Sequence, residues 1–121
     1  MCYLVYTGYW ARLNDYIRAG LTPIGISGKS PEGYKGLEWK FLAPSLQTYL
    51  KWKENHNEFE YMAEYMPKLE KIDKEEFKKK LLAIKNPILL CYEKEGFCHR
   101  HLVADWIEWN LFIKVDEFLI D

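Results

Sequence analysis

The sequence has little of most things that place a chain in a specialised class. It holds only 3 cysteines, Cys2, Cys91 and Cys98, an odd number that fits poorly with a disulfide framework. There is almost no net charge: 17 basic residues against 18 acidic ones leave −1. That removes the bulk electrostatic reason to expect nucleic acid or an anionic membrane as the main partner, so any anion binding must be local. No apolar run approaches the roughly 18 residues needed to span a bilayer. The opening "MCYLVYTGYW" has no basic flank, long apolar segment or small-residue cleavage site, so it does not read as a signal peptide. The expectation is a cytoplasmic protein with reduced cysteines. Repeats, low-complexity tracts and Gly/Ser linkers are absent too, and the longest like-charge run is "KKK" at 78–80. With nothing to mark a boundary in 121 residues, the expectation is one domain over 1–121.

Hydrophobic residues make up 49% of the chain and aromatic ones 17%, ample for a packed interior. "CYLVYT" (2–7) reads as a strand buried on both faces, and "YWARLNDYIRAG" as an amphipathic helix with Trp10, Leu13 and Ile17 on one side and Gly20 as its stop. "TPIGIS" (22–27) is a second strand, and strand–helix–strand in so short a span implies a parallel pair with a right-handed crossover. An irregular Gly- and Pro-containing loop over 28–45 follows, then three helical segments. Phe59, Met62 and Met66 are expected to form a buried face that ends at Pro67, while Phe77, Leu81 and Ile84 form another behind Asp73 and Glu76. "NPILLCYE" (86–93) is the clearest strand. "CHRHLVADWIEWN" reads as a helix with a Leu102, Trp106, Trp109 stripe and Asn110 in the left-handed conformation at its end, and "LFIKV" (111–115) as a closing strand. The fold class predicted is a three-layer α/β/α, with a small, mostly parallel sheet of about four strands and a helical insertion between strands 2 and 3.

In open α/β sheets ligands bind outside the carboxyl ends of the strands, and those ends are the ones that carry chemistry here. Strand one is followed by Thr7, Gly8 and Tyr9, strand two by Ser27, Gly28, Lys29 and Ser30, and strand three by "CYEKEGFCHR". The opposite ends are entered by "AGLTP" and "KNP", ordinary stops. If a helix starts near Cys98, Arg100 lies in its first turn beside amides lacking intrahelical partners, where a cation is unfavourable unless an anion accompanies it. Arg100, helped by Lys29, is then a receptor for phosphate or carboxylate. The alternative is an internal pair with Glu93 or Glu95. Cys98, beside His99 and Arg100, has the setting of an activated nucleophile. Cys91, Cys98 and His99 are alternatively zinc ligands, although C-x6-C-H matches no common zinc spacing, or the two cysteines form a reversible disulfide. Cys91 alone reads best as a small apolar residue ending a buried strand. The aromatic set Trp39, Tyr49, Trp52, Tyr61 and Tyr65 suits core packing or a base-stacking pocket, and Tyr9 or Trp10 is placed to stack on a ring.

"YTGYWARL", "TPIGISGKSPEGYKG", "LAPS", "EYM" and above all "LLCYEKEGFCHRHLVADWI" together resemble the DUF488 family of small bacterial, archaeal and phage proteins, over nearly the whole chain and in the family's order. The resemblance implies signature positions at Cys91 and Glu93 and at the Cys98, His99, Arg100 "CHR" motif. Tyr6 and Thr7 match its first motif, and Ser27 and Pro31 its second. Asn110 and Leu111 stand where many relatives have a glycine. The family carries no settled activity, so the resemblance leaves both the chemistry and any cofactor open.

The leading expectation is a binder of, or enzyme for, a small phosphorylated or nucleotide-like molecule. Catalytic candidates are Cys98, His99 and Glu93; ligand-binding candidates are Thr7, Gly8, Tyr9, Ser27, Lys29, Cys91, Tyr92 and Arg100. The alternatives are a zinc or thiol-redox site at Cys91, Cys98 and His99, and a non-enzymatic interaction protein working through aromatics in 49–65.

Overall fold

The computed structural model describes residues 4–94 and 96–120; Cys2 and Glu95 lie outside the described residues. Five strands, β1 (Leu4–Tyr9), β2 (Thr22–Gly25), β3 (Leu37–Glu38), β4 (Pro87–Cys91) and β5 (Lys114–Glu117), form one parallel sheet in the order β3-β2-β4-β1-β5. The extra strand, β3, is a two-residue edge piece inside the segment expected to be all loop. It pairs through Ile24↔Leu37 and Gly25↔Glu38, too short a pairing to leave a periodic signal. The last strand begins at Lys114, later than expected, because α5 consumes Leu111.

β4 shows how the sequence makes the centre of the sheet. All five of its residues are buried, and burying Ile88, Leu89 and Leu90 contributes about 2 kcal/mol each. The strand alternation sends Ile88 and Leu90 to a core with Trp10, Tyr16 and Leu21. Leu89 and Cys91 go to the opposite, larger core. The smaller core is covered by a 3₁₀ turn (Trp10–Arg12) and α1 (Leu13–Arg18). The larger is covered by α2 (Leu46–Asn55), α3 (Glu58–Glu70), α4 (Lys74–Leu82) and α5 (His99–Leu111), which makes three layers. Gly20, at φ 86, ends α1 as expected.

Several helix faces differ from expectation. On α3 the buried side is Tyr61, Tyr65 and Leu69, while Phe59 is 87% exposed and Met62 also faces out. Both stripes fit helical spacing, and the bulkier aromatic set faces the sheet. Pro67 does not end this helix: the last turn is held by the Tyr65 hydroxyl donating to the Leu42 carbonyl, by Lys68 donating to Ala43, and by buried Leu69. On α5, Trp109 is 84% exposed and the buried side is Val103, Trp106, Ile107 and Leu111. The left-handed residue after it is Phe112, at φ 56, rather than Asn110, whose side chain instead donates to the Trp106 carbonyl.

Two crossovers shape the carboxyl end of the sheet. β1 connects through α1 toward β2, whereas β4 connects through α5 to β5 on the other side of β1. The connections diverge between β1 and β4, where such sheets commonly open a crevice at their carboxyl ends; here the cavity lies one strand over, at the ends of β2 and β4. Tyr9 and Cys91 are paired across that end.

Candidate functional site

A cavity of about 630 Å³ opens at the carboxyl ends of β2 and β4, against the first turn of α5 and beneath α2 and α3. That volume falls in the range of small-molecule sites. One pole holds Cys91, Cys98, His99 and Glu93; Ser27, Gly28 and Lys29 form a second wall; Tyr49, Trp52, Tyr61, Tyr92 and Phe97 supply aromatic surface. Phe97 packs on Trp52 at 4.6 Å and edge-on against Tyr61 at 4.9 Å between ring centroids. The aromatic set named from sequence therefore splits: Tyr49, Trp52 and Tyr61 line the cavity, while Trp39 and Tyr65 are buried in the core. Tyr92 and Phe97 complete the wall, and Phe97 was missed because its loop position carries no periodicity.

The helix that meets the cavity begins differently from its neighbours. Ser45, Asn57 and Asp73 cap α2, α3 and α4 with side-chain oxygens that accept from Thr48, Glu60 and Glu76 backbone N–H groups. Cys98, at the same position of α5, makes no side-chain cap.

His99 is buried, and its Nε2 lies 2.6 Å from the Ile26 carbonyl. A carbonyl only accepts, so Nε2 carries the proton and the neutral ring leaves the Nδ1 lone pair facing Cys98 Sγ at 3.9 Å. Burial pushes the imidazole down to about 4, against the bond to Ile26 that favours its charge, with Arg100 adding to the depression. At neutral pH His99 is thus an uncharged acceptor rather than the cationic half of an ion pair.

Arg100 follows His99 in sequence and faces the other way. It is 1% exposed and all five of its N–H donors are spent inside the protein. Nε and Nη2 donate to the two carboxylate oxygens of Glu117 at 3.0 Å each, Nη1 to the Glu93 carbonyl and to Cys91 Sγ at 3.2 Å, and Nη2 also to the Lys94 carbonyl at 3.2 Å. Arg100 does not line the cavity and has no donor left for an external anion, which corrects its expected role as the anion receptor. Its carboxylate partner is Glu117, not Glu93 or Glu95. Glu117 was missed because it lies two residues beyond the strand expected at 111–115, and only the β1–β5 register, Thr7↔Glu117, brings it to the site. Thr7 donates to Glu117 at 2.5 Å. Burial raises the Glu117 carboxyl, but the hydrogen bonds from Arg100 and Thr7 outweigh it and hold the group below its ordinary value.

Of the remaining candidates, Ser27, Lys29, Cys91, Tyr92, Glu93, Cys98 and His99 meet in the cavity, whereas Thr7, Gly8 and Tyr9 do not line it. Gly8 is a packing position, since a Cβ there would lie 2.6 Å from the Tyr16 ring. Tyr9 packs its ring 5.9 Å from the Arg100 guanidinium carbon. Trp10 is buried and donates from its indole N–H to Ser27 Oγ at 3.1 Å, so it braces the β2 loop and is not free to stack. Ser27 in turn donates to the Lys29 carbonyl at 2.8 Å.

Cys91 and Cys98 are joined by a disulfide. Their sulfurs and a His99 nitrogen lie within 4.8 Å of one another, with no fourth His, Cys, Asp or Glu joining them among the described residues. A sulfur–sulfur bond leaves no thiolate to offer a cation, and the Arg100 charge against Cys91 disfavours one further. Among the described residues, no helix is long and apolar enough to cross a membrane.

A family model described as DUF488-N3a, an active DUF488-N3 subclade, matches residues 13–111. No curated protein and no solved structure matches the chain.

Proposed function

From the premise that this chain belongs to the DUF488 family, in its DUF488-N3a subclade, we propose that the strand-end cavity binds a small phosphorylated, nucleotide-like molecule and presents it to the cysteines. The observation that carries this reading is the joining, in one cavity of about 630 Å³, of an aromatic wall to a pole of Cys91, Cys98, His99 and Glu93. A planar ring gains on the order of 1–3 kcal/mol from stacking on such side chains whatever its substituents. With Arg100 engaged internally, the anionic end falls to Lys29, an exposed residue that lines the same cavity. Ser27 holds the loop that carries it.

Titration of the protein with adenosine and uridine monophosphates, followed by tryptophan fluorescence with Trp52→Phe as the assignment control, tests the reading. Saturable quenching by the monophosphates is expected, with at least fivefold weaker binding in Lys29→Ala and no change for the corresponding nucleosides. Absence of quenching by both monophosphates, or indifference of Lys29→Ala to the phosphate, would reject it.

A further inference from the structure

We propose that the two cavity cysteines have unequal and ordered roles in thiol–disulfide exchange: Cys91 is the attacking thiolate, held by Arg100, and Cys98 is the resolving thiol. This goes beyond ligand binding, because it assigns a reaction to the pole of the cavity and an order to its two sulfurs.

The asymmetry is geometric. Arg100 Nη1 aims an N–H at Cys91 Sγ from 3.2 Å. A guanidinium gains little from a disulfide sulfur, a weak acceptor, and much more from a thiolate, where the bond is charge-assisted. The donor cannot turn elsewhere, since Glu117 and the carbonyls of Glu93 and Lys94 fix the whole fork. Cys98 has no such cation: its side-chain neighbour is the neutral imidazole of His99, with Nδ1 at 3.9 Å. The charged and titratable groups near Cys91 are Arg100 in direct contact and Glu117 through Arg100, with His99, Lys29, Glu93 and Tyr92 elsewhere on the lining of the same cavity. Among these, Arg100 alone is a cation in direct contact with the sulfur. Both cysteines line the cavity, so a substrate reaches them from there.

The Cys91 thiolate attacks one sulfur of a disulfide whose organic group carries a ring; a Cys91–S bond forms, the substrate S–S bond breaks, and one thiolate leaves. Cys98 then attacks Cys91 Sγ; the Cys91–Cys98 bond forms, the mixed disulfide breaks, and the second thiol leaves with the proton Cys98 gives up. Two electrons pass from the two cysteines to the substrate, and two equivalents of a low-molecular-weight thiol return them and leave as their own disulfide. The attacking sulfur is the one whose thiolate the guanidinium faces, which is Cys91.

The test uses the pre-reduced full chain in a Cys2→Ser background and 5,5′-dithiobis(2-nitrobenzoate), an aromatic disulfide bearing carboxylates. One equivalent should release two nitrothiobenzoates per protein and leave a chain lighter by two hydrogens. Cys98→Ser should release one, remain the faster of the two single variants and retain the mixed disulfide, with a rate inflection below the free-cysteine value of about 8.5. Cys91→Ser should react at least tenfold more slowly. The order is overturned if Cys91→Ser is the fast variant, if both single variants inflect at the free-cysteine value, or if the reduced protein takes up zinc stoichiometrically and becomes inert until chelated. Nucleotide quenching measured on the same samples fails or survives independently of these rates, so the two proposals are separable.

Discussion

His99 and Arg100 are adjacent in sequence, share the first turn of α5, and serve opposite kinds of site. On the Arg100 side every donor is matched: Glu117 takes two, main-chain carbonyls two and Cys91 one, while Thr7 donates to the same carboxylate. On the His99 side polar groups meet open volume, with Nδ1, the two sulfurs, Glu93 and Lys29 around a cavity. A saturated network holds structure, because a further ligand would have to break bonds already made. Unspent hydrogen-bonding capacity facing a cavity is what recognition and chemistry need. Cys91 is where the regions touch: its sulfur lines the cavity and accepts from the saturated fork.

The sharpest way to break this contrast is to remove Arg100. Arg100→Ala orphans the half-buried Glu117 carboxylate and two carbonyls, and the expected loss is about 3–5 kcal/mol, measured by urea unfolding. Arg100→Met combined with Glu117→Met should recover part of that loss, since replacing both partners of a buried pair costs less than stranding one. Equal costs for the single and double variants would show that the network does not act as a unit.

Acid separates the regions next. His99 falls from 6.5 unfolded to about 4 folded, so between those values the unfolded chain binds the extra proton. The stability conferred by the neutral ring is complete above 6.5 and is lost as pH drops toward 4. The full effect is about 3 kcal/mol. Glu117, lowered by Arg100 and Thr7, loses its contribution in the same direction, within the carboxylate range. Denaturant midpoints across pH 4–7 should therefore fall on acidification. His99→Gln should flatten the upper part of that curve; an unchanged curve would place the proton elsewhere. Gly8→Ala should cost less, about 1–3 kcal/mol, because its Cβ meets the buried Tyr16 ring at 2.6 Å; thermal unfolding reads it directly.

How much of this was legible beforehand follows the range of the interactions. The three-layer parallel fold could be read because β4 is a short aliphatic run and the helices carry local stops and caps, such as Gly20 and Asp73. The clustering of strand-end residues could be read for the same local reason: Ser27, Lys29, Cys91, Glu93, Cys98 and His99 lie at or just after strand ends, and the fold brings them to one cavity. The direction of a side chain could not. Arg100 and Glu117 are 17 residues apart and meet only through the β1–β5 register. The choice between the two α3 stripes, Phe59–Met62–Met66 and Tyr61–Tyr65–Leu69, depends on what the sheet presents rather than on spacing.

The cavity side should respond to substitution in function more than in stability, which is the smallest expected energetic effect and the most telling one. Lys29 is exposed on the loop, so Lys29→Ala should shift unfolding by about 0.5 kcal/mol or less; Tyr49 is 39% exposed, so Tyr49→Ala should cost about 1 kcal/mol. Their loss from a stacking and anion-binding wall should nevertheless weaken mononucleotide binding about fivefold or more each, and roughly additively if ring and phosphate are held separately. The measurement is a paired one on each variant, thermal unfolding beside nucleotide titration. Variants that bind as wild type while unfolding normally would leave the aromatic wall a surface without a ligand, and the saturated and open regions would then differ in structure alone.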